Sequence, residues 1–193
     1  SEVFIRELGL PEPRHRLGLR TADTEVMTPA IEAVIRAEAP DIVLVYGDTN
    51  STLAGALVGA QAQVPVVHVE AGLRSHDRRM PEELNRVVTD HLADLLLAPT
   101  PTAVANLERE HVAGRTLLVG DVMVDVAELI RPRALEDDAP LAAARVEPGG
   151  YLLATAHRAG NVDDPQRLAA LVRVLREASD VPVVLPLHPR TRA

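Results

Sequence analysis

Short, nearly continuous apolar runs alternate along this chain with polar tips and helical stretches. Asp41–Tyr46 is followed by a Gly47-Asp48-Thr49 turn, after which Ala54, Leu57 and Val58 recur at helical spacing. Val64–Val69 leads into Glu70-Ala71-Gly72. Pro81 stands in the first turn of a helix whose Leu84, Val87, Val88, Leu92 and Leu95 fall on one apolar stripe. Leu95–Ala98 stops at Pro99-Thr100, a helix is expected over Thr102–Glu110, and Thr116–Val119 stops at Gly120-Asp121. Runs this apolar leave no face for water. They predict buried parallel strands joined by helices, an α/β domain wound on both faces of its sheet.

Between Pro132 and Gly150 the chain turns to Pro, Asp, Ala and Gly without periodicity, the composition of a linker with room for a short helix. An N-terminal Rossmann-like domain is therefore expected over 1–131, a linker over 132–149, and a second Rossmann-like, nucleotide-binding domain from 150 to 193. In the latter, a strand Tyr151–Thr155 ends at His157-Arg158, and a helix spans Gln166–Ala178. A strand Val181–Leu187 then ends at His188-Pro189-Arg190. Two strands and one helix cannot cover both faces of a sheet, so the second domain is expected to be truncated or completed by a partner.

Composition narrows the chemistry. With 193 residues, 47% of them hydrophobic, the chain can bury a substantial core. A formal charge of −8 argues against nucleic-acid and anionic-membrane surfaces, which need clustered positive charge. There is no cysteine, which excludes disulfides, thiolate metal sites and cysteine nucleophiles. All 20 basic residues are arginine, so P-loop and Schiff-base lysines are excluded as well, and arginine and histidine are left to meet any phosphate. No apolar run approaches the roughly 18–20 residues of a membrane span. No signal peptide is visible, although Ser1 rather than Met leaves room for a start further upstream, and a cytoplasmic location is expected.

In open α/β sheets ligands bind at the carboxyl ends of the strands, where this sequence concentrates carboxylates. Asp48 reads either as a reacting group or as a helix cap in a turn rich in capping residues. Glu70, directly after Val66-Val67-His68-Val69, is costly to desolvate unless paired, with Arg74 or Arg86 as structural partners, or used. Glu82 and Glu83 suit a helix first turn in any case, and Glu82 shares a face with Arg86 at i, i+4. His157-Arg158 and His188-Pro189-Arg190 repeat one pattern, basic groups at a strand end, which points to a phosphate-bearing ligand. His68 reads as a core histidine. HExxH and GxGxxG are both absent, so neither a catalytic metal nor a nicotinamide or flavin cofactor is expected.

GDTNSTLAGAL, HVEAGLRS, PEELNR, GDVMVD, AHRAGN and PLHPR resemble, in this order, the non-hydrolysing UDP-N-acetylglucosamine 2-epimerases. The resemblance implies a two-domain fold like that of GT-B glycosyltransferases, with the nucleotide sugar in the cleft between domains. It also implies a cytoplasmic homodimer that converts UDP-N-acetylglucosamine to UDP-N-acetylmannosamine for surface polysaccharide. By position, Asp48, Glu70 and Glu82 match the family's catalytic carboxylates and His157 its functional histidine. Arg74, Arg158, His188 and Arg190 are the expected substrate-binding groups, Arg158 on the diphosphate. The family reaction removes the C2 proton as UDP leaves C1, giving 2-acetamidoglucal, then reprotonates C2 on the other face and adds UDP back. Carboxylates crowded in a closing cleft suit that chemistry, because their pKa values rise.

Two features depart from the pattern. Gly160 stands where the family's HRxEN motif has glutamate. The family's first strand with its Gly-Thr-Arg-Pro-Glu loop, and its later Ser-Gly-Gly loop and paired glutamates, have no counterpart here, so the chain is expected to span about the middle half of the family and to have little or no activity alone. A hydrolysing or diacetamido-uronate 2-epimerase, a GT-B glycosyltransferase and a non-catalytic nucleotide-sugar-binding fragment are the competing readings.

Overall fold

The computed structural model of the chain describes residues 5–6, 8–177, 180–187 and 191. They form two compact units, Ser1–Val126 and Ala127–Ala193.

In the first unit α1 (Thr24–Glu38), capped by the side chain of Asp23, precedes the expected alternation and was not among the expected elements. The regular alternation follows: β1 (Val43–Tyr46), α2 (Asn50–Gln61), β2 (Val66–Val69), α3 (Pro81–Leu92), β3 (Leu95–Ala98), α4 (Pro101–Arg109) and β4 (Arg115–Leu118). The four strands are parallel in the order β1-β2-β3-β4, with Val45 beside His68 and His68 beside Leu96. Side chains alternate across a strand, so Val43, Val45, Val66, His68, Leu96 and Ala98 share one face of the sheet. α2 lies on that face so closely that a Cβ on Gly55 would meet Val45 at 3.0 Å, and one on Gly59 would meet Val66 at 2.7 Å. The core is made of small aliphatics, Val45, Ala56, Val66, Ala71, Ala93, Leu96, Ala98, Ala103 and Leu107.

Burial on both faces holds for β2, all four residues of which are buried, but not for β1. Leu44 and Tyr46 are 46% and 62% exposed, whereas Val45 between them is 7% exposed. Among the described residues, β1 is thus covered by helices on one face only.

α3 departs further from the pattern. Leu84 and Val88 of its apolar stripe are exposed, while Glu83, Asn85, Thr89 and Asp90 are its buried residues. Leu95 belongs to β3 rather than to this helix. Buried polar groups are nearly always bonded, and the partners of Glu83, Asn85 and Asp90 lie at the carboxyl end of the sheet.

α5 (Val122–Glu136) carries the chain from one unit to the next, with Pro132 inside it. The expected linker thus starts within a helix and then contains α6 (Ala139–Ala144). In the second unit β5 (Leu152–Leu153) pairs in parallel with β6 (Val183–Val184), with α7 (Ala159–Val162) and α8 (Pro165–Glu177) between them. No helix among the described residues is long and apolar enough to cross a membrane.

Candidate functional site

Each strand of the first unit hands its chain to a turn at the same edge. After β1, Gly47 adopts a left-handed φ of 65° and Asp48 follows. The cap of α2 is Thr49, whose hydroxyl accepts the N–H of Thr52. Asp48 is therefore released from capping, and its carboxylate pairs with Arg86. Its own carbonyl accepts Asn85 Nδ2 at 2.9 Å, the same nitrogen that reaches Asn50 Oδ1 at 2.7 Å.

Glu70 ends β2 with φ at 69°, a left-handed conformation that a β-carbon makes unfavourable. Neither expected arginine forms an ion pair with it. Arg74 pairs with Asp90 and Glu110, and Arg86 with Asp48 and, at 3.2 Å, Glu83. Burial raises the pKa of Glu70 above its ordinary value, and Asp121 and then Asp48 push it further; His68 and Arg86 oppose them weakly. The Glu70 carboxyl also packs on the first turn, with Oε2 at 3.2 Å from where a Cβ on Gly47 would stand. Asp121 follows β4 and accepts the N–H of Met123 at 2.9 Å in the first turn of α5.

The Glu82–Glu83 pair separates by environment. Glu82 is exposed. Glu83, 3% exposed, accepts the N–H of Ser75 at 2.8 Å, the Ser75 hydroxyl at 2.9 Å and the N–H of His76 at 2.9 Å. Burial opposes its ionisation, but these donors and Arg86 outweigh it, and its pKa falls below the ordinary value. Arg86 Nε is buried without a hydrogen-bond partner among the described residues.

Arg74, expected on the substrate, is committed to the protein. Its side chain is 1% exposed. Nε and Nη2 hold Glu110 bidentately at 2.8 and 2.6 Å, and Nη1 lies 2.7 Å from Asp90 Oδ2 and 2.7 Å from the carbonyl of Leu73. A planar fork this fully occupied has little left for a ligand. His157 and Arg158 are exposed in the second unit, where the carbonyl of Arg158 accepts the N–H groups of Asn161 and Val162 in α7. His188 and Arg190 lie outside the described residues.

The structure thus brings Asp48 and Glu70 to one sheet edge, with Asp121 and Arg86 beside them. Asp121 was not among the expected site residues, yet its signal is legible: Gly120-Asp121 after an apolar run repeats Gly47-Asp48. Among the described residues no cluster of His, Asp and Glu could hold a metal ion.

A family model described as UDP-N-acetylglucosamine 2-epimerase matches residues 1–193. UDP-2,3-diacetamido-2,3-dideoxy-D-glucuronate 2-epimerase of Pseudomonas aeruginosa is 48% identical over 100% of this chain and 55% of its own length. UDP-N-acetylglucosamine 2-epimerase of Methanocaldococcus jannaschii is 42% identical over the same shares. The crystal structure of the M. jannaschii enzyme with UDP-GlcNAc and UDP superposes with a TM-score of 0.86 at 40% identity, covering 100% of this chain and 55% of that one. The chain spans about half the length of the curated relatives it matches.

Proposed function

The chain belongs to the UDP-N-acetylglucosamine 2-epimerase family, and from that premise we propose that it contributes to an enzyme inverting C2 of a UDP-2-acetamido sugar. The observation that carries the proposal is Glu70, a half-buried carboxyl held above its ordinary pKa by burial and by its neighbours Asp121 and Asp48. A carboxyl whose pKa is raised holds its proton to higher pH than an ordinary glutamate and is a stronger base once it has lost it.

The reaction divides into elimination and addition. A base removes the proton at C2, the C1–oxygen bond breaks, and its electron pair leaves with UDP. The remaining 2-acetamidoglucal takes a proton at C2 on its other face, and a UDP oxygen re-forms the bond to C1. Inversion needs acid/base groups on both faces of the sugar, a task for Asp48, Glu70 and Glu82. Arg86 holds the Asp48 carboxylate in place, while the left-handed backbone at Glu70 and the glycine beneath it fix the second carboxyl. His157 and Arg158 offer hydrogen-bond donors suited to the departing diphosphate, Arg158 with its guanidinium charge.

The 48% identity to the P. aeruginosa enzyme supports a second reading, a diacetamido-uronate as the sugar. Proton NMR in deuterated water tests both. The chain, and a polypeptide extended at both ends, are incubated with UDP-N-acetylglucosamine and with the UDP-diacetamido-uronate. Deuterium at C2 of the epimerised product in the extended polypeptide is expected, with little or none for the 193 residues alone. No C2 exchange with either sugar would overturn the reading, and turnover by the chain alone would overturn its expected inactivity.

A further inference from the structure

Behind the carboxylates lies a pair of side chains that the reaction does not use. His68 and Asp90 are both 0% exposed. His68 Nδ1 lies 2.6 Å from Asp90 Oδ1, and Nε2 lies 2.8 Å from the carbonyl oxygen of Gly47. The ring thus spans a carboxylate oxygen on one side and a backbone carbonyl on the other. The other oxygen of Asp90 accepts the N–H of Gly72 at 3.1 Å and pairs with Arg74.

These bonds fall at particular places in the chain. His68 and Gly72 flank Glu70, one on each side, and both are held by Asp90. Gly47, held by His68, immediately precedes Asp48. Burying a histidine, an aspartate and an arginine side by side is expensive, and a well-packed apolar cluster of similar volume is commonly at least as stable. Apolar side chains, however, could not grip a backbone N–H and a backbone carbonyl at once.

We propose that Asp90 and His68 are positioning residues: Asp90 fixes the chain on both sides of Glu70, and His68 ties that assembly to the turn that carries Asp48. The kinetic consequence rests on the epimerase reading, whereas the positioning itself rests on the geometry of this chain. Cohesion alone would lower stability when lost; positioning would also lower turnover of the folded enzyme.

Two substitutions separate the bonds. In His68→Gln an amide nitrogen stands near the place of Nε2, keeping the link to Gly47. In His68→Asn it stands near that of Nδ1, keeping the link to Asp90. In the extended, active polypeptide His68→Asn is expected to lower kcat about 100-fold with KM little changed, and His68→Gln to lose less than about tenfold. In the 193-residue chain, exchange of the Gly47 amide, bonded to Val69, is expected to quicken about tenfold or more in His68→Asn only, with α2 amides unaffected. Equal kcat losses in the two variants, or unchanged Gly47 exchange in His68→Asn, overturn the proposal. Should the wild-type extended polypeptide show no C2 exchange, the epimerase reading fails and Gly47 exchange alone decides the positioning. Should His68→Asn fail to fold, Asp90→Asn carries the test: kcat down about tenfold at constant KM supports the proposal, and unchanged kcat overturns it.

Discussion

The carboxylate of Glu83 reaches back to the N–H of Ser75 at 2.8 Å, closing the loop between β2 and α3 on the first turn of the helix it precedes. Its neighbour Glu82 is exposed and takes no part in that closure. Two adjacent glutamates of similar sequence logic therefore do different work. Glu83→Gln is expected to cost about 2–3 kcal/mol, since a buried charged acceptor of three donors is replaced by a group that can receive fewer. Glu82→Gln is expected to stay within about 0.5 kcal/mol of wild type. Urea unfolding at pH 7 checks both. Because the folded-state pKa of Glu83 is depressed, its contribution is present above the ordinary glutamate value and is lost as pH falls through the lower folded one.

Glu70 has the opposite sign. Its folded-state pKa is raised, so its contribution is fully present below the unfolded value and is lost as pH rises through the folded one. Glu70→Gln is expected to raise the unfolding midpoint of the chain at pH 7, by roughly 1 kcal/mol or less because the group is only half-buried. The gain should vanish below about pH 4, where both states of the wild type are protonated. The same variant in the extended polypeptide should abolish C2 exchange. A gain at pH 7 that persists into acid would refute this assignment of charge.

Gly72 is fixed twice over. Its φ is 80°, and a Cβ would stand 2.4 Å from the carbonyl oxygen of Ala103, which as backbone cannot swing aside. Gly72→Ala is expected to cost at least about 3 kcal/mol or to prevent folding. Circular dichroism and thermal unfolding read the outcome; a variant as stable as wild type would mean that α4 sits further from this turn.

The inverted α3 makes a prediction against the usual hydrophobic rule. Leu84→Gln and Val88→Gln are expected to change stability by no more than about 0.5 kcal/mol, because both positions are already exposed in this chain. Thr89, 0% exposed with Oγ1 lacking a partner among the described residues, should tolerate Thr89→Val or gain from it. Denaturant midpoints of the three variants decide the orientation of the helix.

The alternation of strands and helices in the first unit was legible in the sequence because its four strands are short apolar runs closed by Gly-Asp, Glu-Ala-Gly or Pro-Thr. Asp48 and Glu70 were legible for the same reason: each stands at the end of such a run. α1 was not among the expected elements, although Val26, Met27, Ala30, Ile31, Val34 and Ile35 recur at helical spacing; no residue of it is buried. The inside face of α3 was misread, since periodicity counts apolar residues, whereas this face is chosen by Glu83, Asn85 and Asp90, whose partners lie in β2 and in the turns after β1 and β2. Arg74 was expected on the substrate; Asp90 and Glu110 hold it, and neither contact leaves a trace in local sequence.

The bidentate bond from Arg74 to Glu110 and the bond from Asn106 to the carbonyl of Gly72 join positions 36 and 34 residues apart. Contacts of that span form late, after the intervening strand and helix have closed. A nascent chain emerging N-terminus first would carry Asp48, Glu70 and Glu82 well before it could orient them. Chemistry would then be among the last properties to mature, and a chain released at residue 100 would lack the Asn106 donor to the Gly72 carbonyl and the Glu110 partner of Arg74.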